Sequence, residues 1–124
     1  MRPLFAAVAV LAIVACSSPV EPPAINVEQV IFAPREPTIR ITNRTDAPVY
    51  WFIVGRKASA LVDWRPMVCD ECPSIAPNAT VSRRYDESLI DASEREAFVY
   101  WWHAVIVDGE RRPGVVRNGI VRVR

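Results

Sequence analysis

From residue 26 onward the chain is a succession of short runs rich in β-branched and aromatic residues, each followed by turn-forming residues. Such runs favour strands, and a continuous apolar run such as 49–54 is typical of a central one. No long amphipathic helical pattern competes, and the only helical candidate lies within 87–96. We predict seven strands, over residues 26–33, 38–43, 49–54, 60–65, 80–85, 96–107 and 114–123.

The predicted strand count defines the fold class. Seven short strands in about 100 residues resemble an antiparallel immunoglobulin-like sandwich, in architecture only. The Cys…Trp…Cys spacing of true immunoglobulin domains is absent, and fibronectin-type and cupredoxin-like sandwiches fit equally well. We therefore expect an all-β sandwich over residues 26–124, with a hairpin turn at Asp108-Gly109 and a bulge or turn at Asn118-Gly119.

The N-terminus has the pattern of a targeting segment. Arg2 is followed by the apolar residues 4–15, and the segment ends at Cys16. This length matches the apolar part of a signal peptide and is too short to span a bilayer. The run Leu11-Ala12-Ile13-Val14-Ala15-Cys16 resembles the lipobox of bacterial lipoproteins, so residues 1–15 are predicted to be a signal peptide. An ordinary secretory signal and an N-terminal membrane helix are the alternatives.

The lipobox resemblance implies a location. In that family the chain is cleaved before the cysteine, which receives a diacylglycerol and an acylated amine, and two or more acyl chains anchor a protein stably. Cys16 would then hold the protein in a bacterial cell envelope. Ser17 follows it, and a residue other than Asp there implies the outer membrane where the host has one. The proline-rich residues 16–25 would be an extended tether.

The charge of the mature chain argues against a nucleic-acid partner. Removal of residues 1–15 takes Arg2 with it and leaves 14 basic and 14 acidic residues. Nucleic-acid binding favours an excess of basic residues on one face. The remaining length, about 110 residues, fits one domain.

Cys69 and Cys72 form a C-x-x-C motif with acidic residues between them. In an oxidising compartment the pair is expected to form a disulfide. Thioredoxin-like chemistry is disfavoured because the acidic neighbours oppose a thiolate and no helix follows. The sequence M-x-C-x-x-C from Met67 resembles the Cu(I) loop of small copper chaperones, so a copper or zinc site using Met67, Cys69, Cys72 and His103 is an alternative. The strand–loop–helix context of those chaperones is missing.

His103 is the only histidine in the chain. A mid-strand position favours a packed histidine over a general base or metal ligand. No G-x-S-x-G or similar nucleophile motif accompanies it. We therefore expect no catalytic residues and no cofactor.

Aromatic residues are the strongest indication of a binding surface. Neighbouring strand residues point to opposite faces, so one of Trp101 and Trp102 must leave the main core unless loops 66–79 or 86–96 cover it. An exposed set would suit a protein, peptide or glycan ligand. The candidate binding residues are Trp51, Trp64, Tyr100, Trp101 and Trp102.

Together these features predict a lipid-anchored envelope protein whose β-sandwich is a non-catalytic binding or structural module. A metal-handling protein is the alternative. Inhibition of an exported enzyme by loop 66–79 is a third possibility.

Overall fold

A computed structural model of the protein describes residues 21–124 and contains ten strands, where the sequence predicted about seven. One helical turn, α1 (Arg56–Ser59), and a 3-10 turn (Asp86–Ser88) interrupt them. The strands are β1 (Ile25–Val27), β2 (Val30–Arg35), β3 (Thr38–Asn43), β4 (Val49–Gly55), β5 (Ser74–Ile75), β6 (Thr80–Arg84), β7 (Glu96–Trp102), β8 (Ala104–Val107), β9 (Glu110–Pro113) and β10 (Arg117–Arg122).

Two four-stranded antiparallel sheets form the body of the molecule. The first sheet has the order β1-β2-β3-β6, and the second has the order β10-β7-β4-β5. Strands β8 and β9 form a separate hairpin between β7 and β10. The chain passes from one sheet to the other between strands. Two packed antiparallel sheets connected in this way have the architecture of an immunoglobulin-like sandwich. The predicted all-β antiparallel sandwich is confirmed.

The core lies between the two sheets. Side chains alternate along each strand, so every second residue of a strand points inward. The core residues are fully or almost fully buried and come from both sheets. They include Val30, Phe32, Ile39, Ile41, Val49, Ile53, Ile75, Ala97, Val99, Trp101 and Val121.

The strand count was wrong in part because two interruptions, at Glu28-Gln29 and at His103, lacked strong sequence signals. Glu28 and Gln29 adopt positive φ angles of 48° and 77° and divide the predicted strand 26–33 into β1 and β2. Glycine and asparagine favour that conformation, and neither residue is one of them. His103 divides the predicted strand 96–107 into β7 and β8. The expected hairpin turn at Asp108-Gly109 then leads into β9, which pairs with β8.

Two further expectations need correction. The predicted strand 60–65 is absent. Residues 60–61 form a turn after α1, and Trp64 packs on aromatic side chains of the second sheet. The predicted bulge at Asn118-Gly119 is absent too, because both residues pair regularly with β7. A Cβ on Gly119 would lie 3.0 Å from the side chain of Val27 and 3.1 Å from that of Ile25, so a larger residue there would require these β1 side chains to shift.

The sandwich has two distinct ends. The hairpin end contains Asn43, Val49 and Trp102 and carries the β8–β9 hairpin. The opposite end, here called the tether end, contains Arg35 and Gly55. Glu21 forms an ion pair with Arg35, so the chain enters the domain at the tether end.

Residues 21–24 precede the first strand and have no regular secondary structure. The predicted signal peptide and Cys16 lie outside the described residues, as do residues 16–20 of the predicted tether. Strand β1 begins at Ile25, one residue before the expected start of the domain. Within residues 21–124, no helix has the length and apolar character needed to cross a bilayer.

The protonation of Tyr85, at the tether end, makes the stability of the fold depend on pH. Its buried hydroxyl donates a hydrogen bond to the carbonyl of Val123 at 2.9 Å. Burial raises the pKa of Tyr85 above 10.0, the nearby Glu36 raises it further, and Arg124 lowers it. The folded protein therefore holds this proton more tightly than the unfolded chain, and stability falls as pH rises beyond about 10.

We expect Tyr85→Phe to reduce the free energy of unfolding by about 1 kcal/mol at pH 7, since one buried hydrogen bond is lost. The difference from the wild type should shrink above pH 10. Urea unfolding at pH 7 and above pH 10 measures both effects, with Tyr100→Phe as a control for loss of a tyrosine. A gap that widens with pH would contradict the assignment.

Candidate functional site

The outer face of the second sheet carries a row of aromatic side chains. Alternation places Tyr50 and Phe52 of β4 on this face, together with Tyr100 and Trp102 of β7. The register pairs Tyr50 with Trp102 and Phe52 with Tyr100, so the four rings are cross-strand neighbours. Aromatic cross-strand pairs stabilise a sheet and leave a continuous apolar surface.

Trp64 covers this aromatic row from the segment 60–73. Its ring centroid lies 4.5 Å from that of Phe52 and 4.6 Å from that of Tyr100. The indole nitrogen of Trp102 donates to the carbonyl of Met67 at 3.0 Å, which fixes the segment to the sheet. The segment leaves Trp102 only 4% exposed. Met67 belongs to the loop 66–79 that was expected to cover an aromatic residue, whereas Trp64 lies outside it.

A groove of about 590 Å³ lies between this segment and β4. We call it the aromatic groove. Its walls are mainly aromatic and apolar, with two charged side chains and the disulfide loop at the rim. The lining residues are Tyr50, Trp51, Phe52, Asp63, Trp64, Arg65, Met67, Cys72, Pro73 and Trp102.

Strand β4 has an incompletely paired edge at this groove. On one side it pairs with β7 over six of its seven residues, from Tyr50 to Gly55. On the other side β5 pairs only with Val49 and Tyr50. Within residues 21–124, no hydrogen bond occupies the backbone groups on that side from Trp51 to Val54. Of these four residues only Trp51 and Phe52 line the groove, because Ile53 and Val54 are buried, at 3% and 1% exposed.

Trp51 lies at the same edge and is partly buried. The guanidinium of Arg83 is 5.7 Å from its ring centroid, within the range of a cation–π contact. Its indole nitrogen is buried and is the one buried side-chain polar atom in residues 21–124 without a hydrogen-bond partner. An unsatisfied buried donor costs about 1–3 kcal/mol, so an acceptor at this position would be stabilising.

The disulfide loop is joined to both the groove and the hairpin. Cys69 and Cys72 are bonded, as expected, with their Cα atoms 5.1 Å apart. Arg111 of β9 donates to the carboxylate of Asp70 at 2.9 Å and to the hydroxyl of Tyr50 at 2.6 Å. The Asp70 hydrogen bond raises the pKa of Arg111 above its ordinary value. One guanidinium thus links the hairpin, the disulfide loop and the groove wall.

The proposed metal ligands are not brought together. The sulfurs of Cys69 and Cys72 are bonded to each other, which consumes the thiolates that a soft metal needs. His103 has its Nε2 3.0 Å from the hydroxyl of Thr45 and its ring against Trp101. In the described part of the chain, no three His, Cys, Asp or Glu side chains form a metal-binding group.

The five predicted aromatic residues divide into three groups. Trp101 is 2% exposed and belongs to the core, so its expected role in binding is corrected. Trp51 and Trp64 line the groove, and Trp102 lines it from beneath the covering segment. Tyr100 supports Trp64 from the sheet without lining the groove.

Sequence reasoning did not place Tyr50, Phe52 or Met67 in the site as binding residues. The alternation of residues 49–54 was enough to put Tyr50 and Phe52 on one face. Loop 66–79 was named as a possible cover for this face, but the sequence did not indicate that Trp64 packs on it.

Comparisons of the chain with protein-family models, with curated proteins and with solved structures gave no match.

Proposed function

We propose that this protein is a lipid-anchored, non-catalytic binding module of a bacterial cell envelope, and that the aromatic groove is its binding surface. The observation that carries the proposal is the groove itself. It combines apolar aromatic walls with a few polar groups, the composition typical of ligand sites. Trp and Tyr side chains are also the residues that contribute most to binding energy in interfaces.

The position of the groove suits an anchored protein. The chain enters at the tether end, whereas Tyr50 and Trp102 lie at the hairpin end. Residues 16–20 can span about 18 Å at most when fully extended. An anchor on Cys16 would hold the tether end near the membrane, and Tyr50 and Trp102 would lie at the end of the domain farther from it.

The lining residues favour recognition over catalysis. Asp63 is the only carboxylate among the described lining residues, and Arg65 is the only cation. General acid–base or nucleophilic chemistry requires a nucleophile or proton carrier beside an activating partner. The charged pair instead suits an electrostatic contact with a ligand.

The lipid anchor is tested by intact mass of the protein from its native membrane fraction. We expect the mass of residues 16–124 plus lipid, and no alkylation of thiols before reduction. The variant Cys16→Ser should lose the lipid mass and leave the membrane fraction. An unlipidated wild-type chain would overturn the anchor, and thiols that alkylate without reduction would contradict the disulfide.

The binding surface is tested by photo-crosslinking in living cells. A benzophenone amino acid in place of Asp63 at the groove rim should give a discrete adduct. The same group in place of Arg40, an exposed residue of the first sheet, is the matched control. The adduct at position 63 should disappear in a Trp64→Ala background. An equal pattern at positions 63 and 40 would refute the groove as the binding surface.

A further inference from the structure

We infer that the tether end of the domain itself contacts the lipid bilayer, through the exposed side chains of Leu61 and Leu89. These two residues and the groove between them are called the leucine patch. The inference rests on the proposed lipid anchor and adds a second membrane contact to it. Three features carry it: the exposure of the patch, its position beside the point where the chain enters the domain, and the backbone conformation of Leu89.

The leucine patch is an exposed apolar surface. Leu61 is 89% exposed and Leu89 is 55% exposed. Both line a groove of about 550 Å³, whose apolar walls also include Ala58, Val62 and Ile90. The backbone amides of Leu61 and Val62 donate to the carbonyl of Ala58, at 2.9 and 3.1 Å, which holds Leu61 at the end of α1. Apolar side chains exposed together on one surface are typical of a contact with a protein or a membrane.

The leucine patch lies at the end of the domain where the chain enters. Glu21 forms its ion pair with Arg35 there. Arg35 pairs across the first sheet with Thr38, which pairs in turn with Arg84. Neighbouring strands are about 4.8 Å apart, so Arg84 lies about 10 Å from Arg35. The 3-10 turn that follows Arg84 ends at Leu89, which places the patch close to the chain entry.

This position favours the bilayer over a protein as the occupant of the patch. Because residues 16–20 span about 18 Å at most, lipid on Cys16 would keep Glu21 within that distance of the membrane surface. A short tether gives the two surfaces that it joins an effective concentration in the millimolar range. The patch would therefore meet lipid far more often than it meets any soluble partner.

The charges around the leucine patch favour an electrically neutral lipid surface. Lys57, Asp86 and Asp91 line the groove, and Asp86 forms an ion pair with Arg84. The two positive and two negative charges cancel. Segments that bind anionic lipid carry an excess of lysine and arginine instead. We therefore expect a contact based on apolar burial, which changes little with salt or with the content of anionic lipid.

The backbone at Leu89 favours a different residue type. Leu89 has a φ of 56° and a ψ of 36°, the left-handed conformation. Residues other than glycine adopt it infrequently, and asparagine is several-fold enriched there. The turn therefore does not account for a leucine at this position, whereas a contact made by its side chain does. We expect Leu89→Asn to remove that contact and to leave the midpoint of urea unfolding little changed.

The test places an environment-sensitive fluorescent amino acid at Ala60, an exposed residue beside Leu61, in the full lipidated chain. The protein is incorporated into phosphatidylcholine vesicles, with or without bromine in the upper part of the acyl chains, because bromine quenches fluorescence on contact. We expect a blue shift of the emission and a loss of fluorescence in the brominated vesicles. The same group at Glu110, an exposed residue of the β8–β9 hairpin, should show neither. Quenching at position 60 no stronger than at position 110 would overturn the inference.

Two double variants test the leucines themselves. Leu61→Ser with Leu89→Asn should reduce the ratio of membrane-contacting to free domains by at least about tenfold, as judged from the quenching at position 60. Ile106→Asn with Val115→Ser is the matched control, since it removes two largely exposed apolar side chains near the hairpin end. The control should leave the quenching unchanged. Equal losses in the two double variants would contradict a contact through the leucine patch.

The outcomes separate this inference from the proposed function. If position 60 is not quenched while the lipid mass and the crosslink at position 63 are both found, the leucine patch is not a membrane contact and the proposed function stands. A wild-type chain that carries no lipid overturns the anchor and this inference together.

Discussion

Replacement of Trp101 by alanine is expected to lower the free energy of unfolding by about 3–5 kcal/mol. Trp101 is 2% exposed and packs between the sheets. Its indole nitrogen donates to the carbonyl of Val27 at 2.8 Å, which joins the second sheet to β1. The substitution removes this bond and leaves a cavity the size of an indole. Such a loss is a large fraction of the 5–15 kcal/mol that stabilises a domain.

Urea unfolding followed by circular dichroism measures the loss. Ile120→Ala is the control, because Ile120 lies on the outer face of the same sheet and is 49% exposed. It should lose less than about 1 kcal/mol. A Trp101→Ala variant as stable as this control would show that Trp101 is not a core residue.

The second large effect is expected for Asn43→Ala, with a loss of about 3 kcal/mol. Asn43 is completely buried at the hairpin end. Its amide donates to the carbonyls of Ala47 and Ile75, each at 2.9 Å. Its oxygen accepts from the backbone and the hydroxyl of Thr45, at 2.8 and 2.6 Å. Alanine would leave these partners unsatisfied, and the loop between β3 and β4 would lose its connection to β5.

The same unfolding measurement tests Asn43. Asn43→Asp keeps an acceptor for Thr45 but loses the donor to the two carbonyls, so that buried carboxylate should destabilise the fold too. Thr42→Ala is the control. Thr42 is only partly buried, and its substitution removes a single hydrogen bond, the one with Thr80. A loss for Asn43→Ala no greater than that for Thr42→Ala would disprove the network.

Strands with strong local patterns were predictable to within one residue. The alternation in 38–43 and the continuous apolar run in 49–54 each carry enough β-prone residues to fix the element. The turn at Glu28-Gln29 was not predictable, because neither glutamate nor glutamine is a residue type that favours the positive φ angles found there. Hydrophobic pattern decides where a strand is possible, and tertiary pairing decides where it is interrupted.

The candidate site was predictable in its residue types and not in its shape. Alternation alone implied that aromatic residues of 49–54 and 96–102 lie on both faces of the sheet. The covering position of Trp64 could not be predicted, because it depends on a segment without regular secondary structure. The short pairing of β5 with β4 agrees with Pro73 and Pro77 on either side of β5, since proline cannot donate a hydrogen bond to a strand ladder.

The closeness of β1 to β10 has a consequence for how the domain folds. Trp101 bonds to Val27 across 74 residues, and Arg117 pairs with Glu28 across 89 residues. Contacts this distant along the chain must wait for extensive loop closure, so folding in milliseconds to seconds is expected. Until β10 docks, one edge of β7 stays unpaired and β1 lacks its contacts with the last strand. The final strand therefore determines when a newly made chain stops being vulnerable to aggregation and proteolysis.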